Sequence, residues 1–160
     1  MFTILSDVLS DLEASSLIDV SKCGGSFIRK LPDNKNNIVN ALVSLVSEHV
    51  PIKTTGKSYW RVEAKGDGHD WHYDGCALDF SPNHMAWCQY SAVVLLSDPS
   101  TFTGGHFEYY DSEEQVVSLK EELYKNMAIY SSGATNDPVL HRATPHGEGR
   151  RFMLLMFFEG

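Results

Sequence analysis

A change of pattern at Pro51 divides the sequence into two parts with different periodicities. Before Pro51, apolar residues recur at spacings of three and four, which is typical of helices packed on one face. The first set is Leu5, Val8, Leu9 and Leu12, and the second is Ile38, Ala41, Leu42, Leu45 and Val46. The sequence therefore predicts two helices within residues 1–50, with Pro51 closing the second.

After Pro51, short apolar or alternating runs are separated by Gly, Asp, Asn and Pro, a pattern typical of strands and turns. About eight strands are predicted. They lie in KSYWRVEA, DWHYD, QYSAVVLLS, HFEYYD, QVVSL, NMAIYSS, VLHRAT and RRFMLLMFF, and EEQVVSLKEELYKN also fits a short helix. Strands in this number favour a mostly β jelly roll or related sandwich, with the two N-terminal helices buttressing one sheet.

The composition indicates an ordinary globular chain of 160 residues, with 42% hydrophobic residues and a net charge of −8. We expect a single domain, because neither a repeat nor a linker interrupts residues 1–160. Residues 1–50 would form its helical buttress and residues 51–160 its β core. The negative charge argues against a nucleic-acid partner. Oligomeric state is left open.

The cellular location follows from two further features. No apolar run approaches the roughly 20 residues that span a bilayer, and the acidic N-terminus does not fit a signal peptide, so we expect no membrane partner. The cysteines Cys23, Cys76 and Cys88 are odd in number and lack CxxC spacing. We therefore expect reduced thiols and a cytoplasmic protein.

The segment WHYDG places His72 and Asp74 two positions apart on a predicted strand. Side chains alternate along a strand, so the imidazole and the carboxylate project together. With a third ligand they could hold one divalent metal, and two His plus one carboxylate is the ligand set of non-haem Fe(II) sites. The histidines weighed as third ligands are His49, His69, His84, His106, His141 and His146.

His141 differs from the other candidates because an arginine follows it ten positions later, entering the apolar last strand. A guanidinium buried at that point needs an anionic partner, since its desolvation is costly. Arg150 and Arg151 are adjacent and point to opposite faces, so only one of them can face inward.

Together these residues resemble the Fe(II)- and 2-oxoglutarate-dependent dioxygenases, in particular the compact prolyl-4-hydroxylase-like branch. The family pattern runs from His-x-Asp through an apolar strand, a Gly-Gly loop and a further strand to His and then Arg or Lys. The corresponding segments here are His72-Tyr73-Asp74, SAVVLLS, Gly104-Gly105, NMAIYSS and HRATPHGEGRRF, which contains His141 and Arg151. The resemblance covers residues 59–158 and implies a double-stranded β-helix.

The resemblance also implies the roles of these residues. His72, Asp74 and His141 would be the catalytic iron ligands, and Arg151, with Arg150 as the alternative, would bind the distal carboxylate of 2-oxoglutarate. The cofactors would be Fe(II), 2-oxoglutarate and O₂, with ascorbate also allowed. The reaction would be hydroxylation of a substrate C–H bond, with release of succinate and CO₂.

The sequence departs from the family at two tyrosines. Leu95-Leu96-Ser97 stands where relatives have Tyr-Leu-Asn, and RVEAKG replaces a tyrosine upstream of the metal strand. The second anchor of 2-oxoglutarate is therefore open, with Ser91, Tyr59 and Tyr90 as candidates. Trp71, Tyr73 and Phe107 are expected to be core or rim aromatics.

Two other interpretations of the sequence stay open. One is a cupin-like metalloenzyme that does not use 2-oxoglutarate and recruits a further histidine such as His69 or His106. The other is a non-catalytic metal-binding module. For the enzyme, the substrate is a peptide or protein, with peptidyl proline suggested by the resemblance, or a small molecule.

Overall fold

The computed structural model describes residues 1–19, 28–29, 36–64 and 66–160. The helices in these residues are α1 (Asp11–Asp19) and α2 (Asn36–His49). The strands are β1 (Phe2–Leu5), β2 (Ile28–Arg29), β3 (Ser58–Glu63), β4 (His69–His72), β5 (Cys88–Leu95), β6 (Phe107–Tyr110), β7 (Val116–Leu119), β8 (Met127–Ser131), β9 (His141–Ala143) and β10 (Met153–Glu159). Short 3₁₀ turns lie at Pro99–Thr101 and Glu121–Leu123.

The strands form two antiparallel sheets that share a core. The large sheet has the order β1-β8-β5-β10-β3-β2, and the small sheet has the order β4-β9-β6-β7. This mostly β arrangement with two helices on one sheet confirms the predicted jelly-roll fold, a double-stranded β-helix. Within the described ranges, neither helix has the length and apolar character needed to cross a membrane.

Alternate side chains of the large sheet enter two different cores, as the two-residue period of a strand requires. Ala92 and Val94 of β5 pack with α1 and α2, whereas Val93 and Leu95 face the small sheet. Strand β10 repeats the alternation. Its helix-facing side chains are Leu154, Met156 and Phe158. Each buried aliphatic or aromatic side chain of this kind stabilises the fold by about 1.5–3 kcal/mol.

The N-terminal segment differs from the helix predicted for it. Residues Phe2–Leu5 pair with β8 as an edge strand, and the Phe2 ring stacks on Tyr109 with a centroid distance of 3.8 Å. Helix α1 begins after Ser10, whose Oγ accepts from the Glu13 amide while Glu13 Oε1 accepts from the Ser10 amide. This capping box sets the start of the helix. The second helix forms in its predicted segment, and β3 to β10 lie in or within one residue of theirs, whereas β2 lies outside every predicted strand. The alternative helix near residue 120 is a strand followed by a 3₁₀ turn.

Candidate metal centre

Pairing of β4 with β9 brings two histidines side by side. His72 lies directly opposite His141, and their ring centroids are 4.3 Å apart. Strand β4 ends at His72, so Asp74 follows the strand instead of belonging to it as predicted. Its carboxylate still reaches both rings, with Oδ1 3.3 Å from Nε2 of His72 and 3.5 Å from Nε2 of His141. We refer to these three side chains as the His–Asp–His cluster.

The ring nitrogens that face away from the cluster are hydrogen-bonded to the backbone. Nδ1 of His72 lies 2.7 Å from the carbonyl oxygen of Asp70, and Nδ1 of His141 lies 2.9 Å from that of Val139. A carbonyl only accepts, so each Nδ1 carries a proton, and in the neutral ring each Nε2 keeps a lone pair on the side of Asp74. Three acceptor atoms within 4.8 Å of one another repel unless a cation lies between them. This donor set suits a divalent transition metal.

The second carboxylate oxygen of Asp74 is held by the large sheet. Oδ2 accepts hydrogen bonds from Ser91 Oγ at 2.7 Å and from Tyr130 Oη at 3.1 Å. Burial, reinforced by the charge of Asp74, raises the pKa of Tyr130 well above its usual range, so the phenol remains a donor. The side chains of Asp74 and His141 are 8% and 5% exposed and that of His72 is 37% exposed, so the cluster opens to solvent at His72.

The electrostatics of the cluster couple its members. Burial alone would raise the pKa of Asp74, but the adjacent His141 and His72 outweigh it and hold that pKa well below its usual range. Burial alone would lower the pKa of His72, but the hydrogen bond and charge of Asp74 outweigh it and raise that pKa above 6.5. Asp74 is therefore ionised at neutral pH, and His72 takes up a proton more readily than a free imidazole.

Metal binding is expected to weaken as the pH falls. A metal binds only the neutral imidazole, so protons compete for His72 once the pH drops through its raised pKa. We expect the affinity for Mn(II) to fall about tenfold per pH unit below that point and to level off above it. Titration of the metal-free protein with Mn(II) between pH 8 and pH 5.5 checks this, and an affinity constant over that range contradicts it.

A pocket of about 340 Å³ extends from the cluster along the large sheet. Arg151 lines it and is only 5% exposed, whereas its neighbour Arg150 is exposed at the surface. One terminal nitrogen of Arg151 donates to the carbonyl of Gly105 at 3.1 Å. Burial lowers the pKa of Arg151, and the nearby carboxylate of Glu63 partly offsets this.

Of the histidines weighed as a third ligand, only His141 joins the cluster in the part of the chain that the structure describes. His69 lines the pocket, but its Nε2 lies 2.6 Å from Oε1 of Glu63. His84 also lines the pocket and is exposed. The histidines that do not line it are His49, His106 and His146.

The candidates for a second cosubstrate anchor lie in different surroundings. Ser91 hydrogen-bonds Asp74, Tyr90 packs on the helix-side core, and the Tyr59 ring stacks on Phe157 at 6.2 Å. Phe107 is a core ring stacked on His141 with a centroid distance of 5.3 Å. The three candidates for the second anchor, Ser91, Tyr59 and Tyr90, do not line the pocket.

Sequence reasoning did not identify Arg61, Glu63 or Tyr130, although all three line the pocket. The two-residue spacing of Arg61 and Glu63 in SYWRVE was the available signal, because it places them on one face of β3. That face lies beside the cluster only through the long-range pairing of β3 with β10.

Comparison with known proteins gives matches in structure. No protein-family model matches the sequence, and no curated protein shows a significant match. The fold is similar to that of a viral collagen prolyl hydroxylase from Paramecium Bursaria Chlorella virus-1, solved as a 2OG complex, with a TM-score of 0.73 and 14% identity. That alignment covers 99% of this chain and 95% of the viral one.

Two further similar structures are also prolyl hydroxylases. A Pseudomonas putida prolyl-4-hydroxylase aligns with a TM-score of 0.70 and 13% identity, covering 99% of this chain and 91% of the other. A Trichoplax adhaerens prolyl hydroxylase, in complex with a hypoxia inducible factor peptide fragment, aligns with a TM-score of 0.70 and 15% identity. That alignment covers 99% of this chain and 83% of the Trichoplax chain. The resemblance seen in the sequence is thus confirmed at the level of the fold.

Proposed function

We propose that this chain is an Fe(II)- and 2-oxoglutarate-dependent oxygenase that hydroxylates a C–H bond, with release of succinate and CO₂. The observation that carries the proposal is the presence of the His–Asp–His cluster and the buried Arg151 in one pocket. His72, Asp74 and His141 would hold the iron, and Arg151 would bind the distal carboxylate of 2-oxoglutarate.

The residues present fit both groups. The cluster offers three possible ligand atoms within 4.8 Å of one another, and His72 leaves one side open for further ligands. The buried Nε of Arg151 has no hydrogen-bond partner among the described residues, so a bound carboxylate would supply the missing acceptor. Iron with 2-oxoglutarate supplies the oxidising chemistry when bound. The chain's part is to orient Asp74 through Ser91 and Tyr130 and to shield the site with buried side chains.

A peptide is the substrate class that the surface supports, with peptidyl proline as the specific proposal. A groove of about 870 Å³ runs beside the pocket, and Tyr73 lines both. Its other aromatic lining residues are Phe2, Tyr109 and Tyr110. Aromatic rings along an open groove suit an extended, proline-containing segment. The Trichoplax neighbour, which is complexed with a peptide, is consistent with this.

We further infer that residues 1–160 act as one dioxygenase domain in the cytoplasm. Both helices contribute to the same core cluster as β3, β5 and β10, so buttress and β core stabilise each other. Cys76 and Cys88 are buried free thiols, as expected in a reducing compartment, and Cys23 lies outside the described residues.

Anaerobic loading with Fe(II) followed by titration with 2-oxoglutarate is expected to give a saturable visible absorption band, because the 2-oxo acid end chelates the iron. His72→Ala should abolish the band. Arg151→Gln should raise the 2-oxoglutarate concentration at half-saturation about 10- to 100-fold, since a charge-assisted hydrogen bond is lost, and Arg150→Gln should leave it unchanged. Iron binding without any band would favour the cupin-like or non-catalytic interpretation.

A further inference from the structure

We propose that Arg61 is a second anchor for the distal carboxylate of 2-oxoglutarate, acting with Arg151 where relatives use a tyrosine. The inference rests on the proposed function and adds to it a residue that determines cosubstrate choice.

Strand pairing places Arg61 on the wall of the pocket. In the register of β3 with β10, Arg61 lies opposite Leu155 and Glu63 opposite Met153, and all four side chains line the pocket. Arg151 precedes β10 and lines the same pocket. The Arg61 guanidinium also lies over the Phe157 ring, 5.5 Å from its centroid, which restricts its orientation.

Glu63 is buried in this pocket, with one oxygen hydrogen-bonded to His69 and the other in an ion pair with Arg61 that lacks hydrogen-bond geometry. The residue is 2% exposed, with Oε1 2.6 Å from Nε2 of His69 and Oε2 3.0 Å from a terminal nitrogen of Arg61. Burial alone would raise the pKa of Glu63, but His69, Arg61 and Arg151 together lower it. Glu63 is therefore a fixed negative charge that holds Arg61 in place.

The two arginines have donors that the protein leaves unused. The Nε groups of Arg61 and Arg151 are both buried without a hydrogen-bond partner in the described part of the chain. Leaving a buried charged donor unpaired is costly. Oε2 of Glu63 is also without a hydrogen-bond partner, but it is already in an ion pair with Arg61, so two unpaired arginine donors in one pocket indicate a further, missing acceptor. The acceptor must reach both side chains.

The charges of the pocket wall indicate that this acceptor is an anion. Asp74, the other carboxylate on the pocket, belongs to the His–Asp–His cluster. Away from the cluster, Arg61 and Arg151 contribute two positive charges beside the single negative charge of Glu63, which leaves an excess of one positive charge on this part of the wall. One carboxylate balances it. The other arginine on the pocket, Arg142, is already paired, because its Nε donates to Glu108 Oε2 at 2.6 Å. Guanidinium groups bind carboxylates through paired donors, which compensates for an absent tyrosine hydroxyl.

The test compares 2-oxoglutarate with pyruvate, which has the same 2-oxo acid end and lacks the distal carboxylate. Calorimetric titration into the Mn(II)-loaded protein is carried out for the wild type, Arg61→Gln, Arg61→Lys and the control Arg142→Gln. We expect Arg61→Gln to weaken 2-oxoglutarate binding about 10- to 100-fold, with Mn(II) and pyruvate affinities unchanged. Arg142→Gln should bind both ligands like the wild type.

Each other outcome overturns the inference in a distinguishable way. Wild-type affinity for 2-oxoglutarate in Arg61→Gln excludes Arg61 as an anchor and leaves the proposed function intact. A wild-type protein that binds neither 2-oxo acid contradicts the proposed function itself. Equal wild-type affinities for the two ligands show that the distal carboxylate is not recognised. Should Arg61→Gln fail to fold, Arg61→Lys decides. This variant keeps the positive charge but not the paired donors of a guanidinium. Its affinity for 2-oxoglutarate should therefore fall about tenfold below that of the wild type, while its affinity for pyruvate stays unchanged.

Discussion

Replacing Asp74 with asparagine is expected to lower the affinity for Mn(II) or Fe(II) about a thousandfold while the fold is retained. Loss of an outer hydrogen-bond partner of a metal ligand costs about 10- to 100-fold in affinity, and loss of the charged ligand costs more. The asparagine oxygen can still accept from Ser91 and Tyr130, which hold the wild-type carboxylate at 2.7 and 3.1 Å. The substitution therefore removes the negative charge and leaves the shape of the site.

The measurement is a Mn(II) titration followed by electron paramagnetic resonance, with thermal unfolding as the check on folding. Asp79→Asn is the matched control, because Asp79 also accepts from a serine, Ser81 at 2.6 Å, but lies exposed in the following turn. It should bind Mn(II) like the wild type. His106→Ala should do the same. Near wild-type affinity in Asp74→Asn, with a loss in His106→Ala, would contradict the proposed ligand set and favour a histidine-rich site.

The grouping of His72, Asp74 and His141 could be anticipated from the sequence because His72 and Asp74 are only two positions apart in the chain. The two-residue spacing places Asp74 within reach of His72, and it does so even though β4 ends at His72. The positioning of the carboxylate could not be anticipated. Its hydrogen-bond donors Ser91 and Tyr130 lie 17 and 56 residues away in the chain, and no local pattern encodes such contacts.

Strand periodicity explains both the success and the failure of the fold prediction. Strands β5 and β10 are apolar at nearly every position, as strands buried on both faces are, and the structure packs one face on the helices and the other on the small sheet. The alternation of side chains in β3 identifies Arg61 and Glu63 as neighbours on one face, but pairing with β10 decides which face meets the pocket. Strand β1 was mistaken for a helix because it owes its conformation to pairing with β8, a partner more than a hundred residues away.

Gly75→Ala is expected to destabilise the protein by about 3 kcal/mol, because the backbone around this glycine leaves no room for a side chain. A Cβ at this position would lie 2.3 Å from the carbonyl oxygen of Cys88 and 2.6 Å from that of Ser132. The Gly75 amide also donates to the Ser132 carbonyl at 3.0 Å, and that bond would lengthen as the strands moved apart. For a chain of this length the melting temperature should fall by about 6–12 °C.

The same substitution should weaken metal binding, since Asp74 immediately precedes Gly75 and would move with it. Gly66→Ala is the matched control: the nearest atoms to its Cβ belong to His146, at 3.5 Å and beyond, which is ordinary contact. Thermal unfolding and Mn(II) titration of both variants test the expectation. An unchanged melting temperature in Gly75→Ala would show that the backbone at Cys88 and Ser132 moves away from this position at little cost. A loss of melting temperature together with metal affinity would show that the close backbone approach after the His-x-Asp segment serves both the fold and the site.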